Sequence, residues 1–100
     1  MRDFGLQWIA GYARANRQKA SGIDSKESIL KHRLYPELGD LPLDKITPQR
    51  LALFQASLAD YSEKSVNNTL STLGKLLKVA VEWGVIPAMP CTVRLVKMKS

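Results

Sequence analysis

Residues 65–86, SVNNTLSTLGKLLKVAVEWGVI, place Asn67, Asn68, Ser71, Lys75 and Lys78 at spacings that a helix gathers within an arc of roughly 100°. Thr72 is expected on the same wet side, and the first acid of the segment is Glu82. An amide or a hydroxyl both donates and accepts hydrogen bonds, so it can match the edges of bases in a major groove. Lysines one or two turns away can reach phosphates and fix the register. A carboxylate on that face would repel a polyanion. The alternative is a solvated face that happens to hold neutral polar groups.

Further basic side chains extend the set. Arg17 and Lys19 precede a second helical stretch, Ser25, Lys26 and Arg33 lie on it, and Lys64 stands just before the Asn pair. Charge is segregated along the chain. Residues 14–33 hold six basic and two acidic side chains, residues 34–63 two and five, and residues 64–100 six and one. If the two basic segments fold onto one side, they form a polyanion-binding face and leave an acidic remainder. The net charge of +6 is consistent with such a face, although a merely soluble basic domain would have it too.

Other chemistries find little support. One cysteine, Cys91, and one histidine, His32, far apart in the chain, form no metal-ligand cluster. The carboxylates fall mostly in the acidic middle, on turns and helix ends, with no apolar setting to raise a pKa. The glycines are scattered singly, so there is no phosphate-cradling loop. Tyr12, Tyr35 and Tyr61 read as core or boundary residues. The chain is therefore expected to bind rather than catalyse, with no cofactor and no metal. No apolar run approaches the ~20 residues of a membrane span, and the N-terminus lacks the apolar centre of a signal peptide. With a lone cysteine, a reducing cytoplasm is the expected compartment.

Four helical stretches must position these residues, and no segment alternates as a strand would. The first is expected over roughly Asp3–Asn16, with Phe4, Trp8 and Tyr12 on one face. The second is expected from Asp24 or Ser25, where Asp24 and Glu27 have capping-box spacing. Ile23, Leu30 and Leu34 share its face, and Pro36 and Gly39 are expected to end it. Thr47 and Pro48 are the cap and first residue of a third helix, reaching about Asp60 and burying Leu51, Phe54 and Leu58. Ser62 caps the fourth, whose apolar stripe is Val66, Leu70, Leu73, Leu77 and Ala80. Gly84 ends it, and Pro87 and Pro90 prevent continuation. At 100 residues the chain suits one all-α domain over residues 1–90, with residues 91–100 as the start of a linker.

Two stretches resemble the core-binding domain of tyrosine recombinases, the phage-integrase family. In LKHRLYPELGDLPLDKITPQRLALF, residues 30–54, the matching positions are Leu34, Pro36, Leu38, Gly39, Leu43, Ile46 and Thr47. In SEKSVNNTLSTLGKLLKVAVEWGVIPAMPC, residues 62–91, they are Val66, Asn67, Leu70, Leu73, Ala80, Gly84, Ile86 and Pro90. Ser65 stands where the family usually has Thr, and Met89 where it usually has Asn. Phe4 and Trp8 are similar to the family's opening helix, at a compressed spacing.

The resemblance implies a compact four- to five-helix SAM-like bundle that grips one side of duplex DNA at the core of an attachment site. It implies a separate catalytic domain after Ser100, carrying the tyrosine nucleophile, and other integrase subunits as partners on DNA. The isolated domain is expected to be a monomer. Two alternatives stay open: a DNA-binding transcriptional regulator and a helical protein-interaction module. The fourth stretch is too long, and its partner too distant in sequence, for a standard helix-turn-helix.

Overall fold

Helix signals in the sequence become helices almost everywhere. The structure, a computed structural model, describes residues 1–16 and 20–95, without the side chains of residues 12–16 and 20–23. Its elements are α1 (Arg2–Asn16), α2 (Ala20–Ile29), a π-helical turn (Leu30–Leu34), α3 (Tyr35–Leu38), a 3-10 turn (Leu43–Lys45), α4 (Pro48–Ser57) and α5 (Glu63–Glu82). From α2 through the π turn to α3 the chain is helical without a break, so four helical rods build the domain. No strand occurs among the described residues. The radius of gyration, 13.1 Å, is that of a folded domain of this length.

α5 is the axis of the fold. Twenty residues long, it spans about 30 Å. Its stripe of Val66, Leu70, Leu73, Leu76, Leu77 and Ala80 is buried. Phe4 and Trp8 from α1, Leu30 and Leu34 from the π turn, and Leu51 and Phe54 from α4 join the same cluster. Leu38, Leu43, Ile46 and Leu58 belong to it as well. Burying each such side chain contributes about 1.5–3 kcal/mol, which supplies most of what sets the helices against α5.

Local signals fix the ends. Thr47 Oγ1 accepts from the Arg50 N–H at 3.3 Å, and Ser62 Oγ accepts from the Ser65 N–H at 3.2 Å, as their cap positions require. Gly84 takes φ +74°, and α5 closes with the Gly84 N–H on the Val81 carbonyl and the Val85 N–H on the Ala80 carbonyl. That pair of bonds is a Schellman cap. Trp83 then folds back edge-on to Phe4, with ring centroids 5.6 Å apart, and joins the end of α5 to α1.

Four expectations are corrected. α2 starts at Ala20 rather than at Asp24, so Asp24 and Glu27 are exposed mid-helix residues and not a capping box. Gly22 costs such a helix only about 1 kcal/mol, too little to delay its start. Pro36 does not end the second helix. The π turn before it bonds the Tyr35 N–H to the Leu30 carbonyl. Pro36 then stands in the first turn of α3, where a missing N–H is harmless and the clash of its ring with the preceding turn is relieved. α4 ends at Ser57, three residues early, because Leu58 and Ala59 switch to i→i+3 bonds. Finally, Thr72 is buried, its hydroxyl donating to the Asn68 carbonyl at 2.9 Å, so it leaves the wet face.

The segment from Cys91 also packs. Cys91 is buried, and the Val93 side chain lies against Gly74 of α5. Burial of the Cys91 thiol pushes its pKa above the ordinary value.

Candidate nucleic-acid interface

Where α2 meets α5 the structure forms a shallow groove. Its walls are Ser25, Lys26 and Ile29 from α2 and Asn68, Ser71, Thr72 and Lys75 from α5. Five of the side chains selected from sequence, Ser25, Lys26, Asn68, Ser71 and Lys75, therefore come together from two helices, 42 to 50 residues apart in the chain. Ser25, Asn68 and Lys75 are exposed, while Lys26 and Ser71 are half-buried. Among the described residues, no carboxylate lines the groove. Hydroxyls, an amide and two ammonium groups around one concavity can take up the oxygens of a phosphodiester and reach polar base edges beside it.

Three more of the selected residues flank this groove. Asn67 is half-buried on the same arc of α5, Lys64 is exposed in its first turn, and Lys78 is exposed one turn beyond Lys75. Lys78 edges a second groove with Gly74, Met89, Cys91, Thr92 and Val93, so it faces the C-terminal segment as well as the arc. The Asn67–Lys78 stretch spans about 16 Å along the helix axis, comparable with the ~12 Å width of a major groove.

Arg33 sits differently. It is half-buried at the end of the π turn, where its Nη1 donates to the Ser65 carbonyl at 3.3 Å and to Thr69 Oγ1 at 3.0 Å. Its Cζ lies 4.8 Å from the centroid of the Tyr61 ring. Arg17 and Lys19 lie outside the described residues. Sequence reasoning missed the buried Thr69 as a partner of Arg33. The signal was a polar residue at position 69 between Val66 and Leu70, on the apolar stripe, where a hydroxyl needs a bond. Thr69 Oγ1 also donates to the Ser65 carbonyl, at 2.9 Å.

No group of three or more His, Cys, Asp or Glu side chains suited to a metal occurs among the described residues. No helix among them is long and apolar enough to cross a membrane. Tyr35 is half-buried beside α1, and burial raises its phenol pKa, the reverse of what a nucleophile needs. Glu37, Asp40 and Asp44 are exposed on α3 and the loop after it, and none of them lines the α2–α5 groove.

Among known families, the one described as phage integrase, N-terminal SAM-like domain, matches residues 1–59. That span contains α1 to α4 and the α2 wall of the groove; α5 follows it. No curated protein and no solved structure gives a significant match.

Proposed function

The chain belongs to the phage-integrase N-terminal SAM-like family, and from that membership we propose that it binds duplex DNA through the α2–α5 face as the core-binding domain of a tyrosine recombinase. The groove that gathers Ser25, Lys26, Asn68, Ser71 and Lys75 without a carboxylate is the observation that carries this reading. Lys26, Lys64, Lys75 and Lys78 contact phosphates. Asn67, Asn68 and Ser71, on shorter side chains in the first turns of α5, approach base edges and supply sequence preference. Residues 1–90 are the binding unit, and residues 91–100 lead toward a catalytic domain that carries the tyrosine nucleophile. The other integrase subunits join on the DNA.

A domain that grips one side of a duplex binds weakly and with strong salt dependence. With roughly four to seven phosphate contacts, log K falls against log salt with a slope of about −4 to −6. Fluorescence anisotropy of a labelled duplex, titrated with the domain at several salt concentrations, reads that slope. Binding that ignores salt, or no binding at low salt, overturns the proposal.

A further inference from the structure

Resting on the DNA-binding reading, we infer that Arg33 is a positioning residue that holds the first turns of α5 against α2 and so sets the groove, rather than a phosphate contact. Three observations carry this. Nη1 is already committed to the Ser65 carbonyl and to Thr69 Oγ1. The guanidinium carbon sits over the Tyr61 ring, 4.8 Å from its centroid. Thr69, the acceptor, is fully buried and immediately follows Asn68, while Ser65 lies one turn before it. The clamp therefore runs from the π turn that ends α2 to the two turns of α5 that bear Asn67, Asn68 and Ser71.

A planar guanidinium suits this place. It presents several N–H donors in one plane and stacks on an aromatic ring, and an ammonium cannot do both. With Arg33 in place, Asn68 and Ser71 keep a fixed distance from Ser25 and Lys26. Without it, the α5 start can shift on its apolar stripe, and short side chains lose base contacts before long lysines lose phosphates. The signature of the role is thus lost sequence preference at an unchanged salt slope.

The test compares Arg33→Gln, Arg33→Lys and Thr69→Val with the parent, each checked for folding by circular dichroism. Each is titrated against two duplexes, the parent's best-bound duplex from a random-sequence selection and a scrambled duplex, at several salt concentrations. A positioning role predicts that all three reduce discrimination between the duplexes by about threefold to tenfold, as coupled neighbours do. It predicts that Thr69→Val adds little on top of Arg33→Gln and that the salt slope holds. Thr69→Val is the informative variant, because it removes no charge and touches no surface. The inference is overturned if Arg33→Gln makes the slope shallower by about 0.9 while Arg33→Lys restores binding, since that is a phosphate contact. It is also overturned if folded variants discriminate as the parent does. A parent that binds neither duplex overturns the DNA reading itself, and the inference with it.

Discussion

Lys75 and Asn68 line the same groove, and their replacement by alanine should have opposite signatures. They are seven residues apart, which is about 10.5 Å along the axis and nearly two full turns, so both point to one side of α5. Lys75 is exposed, and its four-carbon stem reaches a phosphate at the groove wall. Its loss removes about one counterion-releasing contact, or about 0.9 from the salt slope. Between 200 and 50 mM salt, the deficit of Lys75→Ala relative to the parent should therefore grow by about 3.5-fold, and equally on any duplex. Asn68 has a short side chain that reads a base edge. Asn68→Ala should cost about 1–3 kcal/mol on the preferred duplex, roughly 5- to 150-fold, with little change of slope and a smaller loss on scrambled DNA. Anisotropy titrations of both variants on both duplexes at two salt concentrations give all the ratios. If Asn68→Ala binds both duplexes as the parent does, α5 does not read bases. If Lys75→Ala loses the same factor at 50 and 200 mM, it does not neutralise a phosphate.

Two further outcomes concern the scaffold. A Cβ at Gly74 would stand 3.7 Å from Val93, in ordinary contact, so Gly74→Ala should stabilise by about 0.5–1 kcal/mol and raise Tm by roughly 2–8 °C in a thermal melt. At Gly39 a Cβ would come within 2.6 Å of the Tyr35 carbonyl oxygen, so Gly39→Ala should instead destabilise, by about 1–3 kcal/mol in the same assay. Burial raises the pKa of both the Cys91 thiol and the Tyr35 phenol, from ordinary values of 9.0 and 10.0. The unfolded chain therefore ionises first, and stability held at neutral pH falls as pH climbs past 9.0. Urea midpoints measured across that range should decline, and Cys91→Ala should remove the earlier part of the decline.

Much of the fold was legible because its signals are local. Thr47, Ser62 and Gly84 cap where their backbone chemistry demands, and the 3.6-residue stripe of α5 names its own core. What was not legible depends on neighbours in space. Pro36 reads as a helix stop until a π turn upstream makes room for it. The reach of α2 back to Ala20 was hidden because Asp24 and Glu27 have capping-box spacing, although both are mid-helix residues. Thr72 and Thr69 read as polar, yet each turns its hydroxyl to a backbone carbonyl and joins the buried side. For the site, sequence supplied the residues on each helix, and only the fold shows that Ser25 and Lys26 face Asn68, Ser71 and Lys75. Arg33 looked like one more cation, and its ring and hydroxyl partners, 28 and 36 residues away, gave no sign of themselves in the pattern.

The central claim is that the α2–α5 face is where duplex DNA sits, and nuclear magnetic resonance tests it residue by residue. The ¹⁵N-labelled domain is titrated with a duplex at low salt, and backbone and side-chain amide shifts are followed to saturation. The largest changes are predicted at Ser25, Lys26, Asn68, Ser71 and Lys75 and at the side-chain amides of Asn67 and Asn68, while Glu37, Asp40 and Asp44 stay in place. Changes concentrated instead on α3 and the loop after it, or around Leu6 and Tyr35 between α1 and α2, would contradict the account.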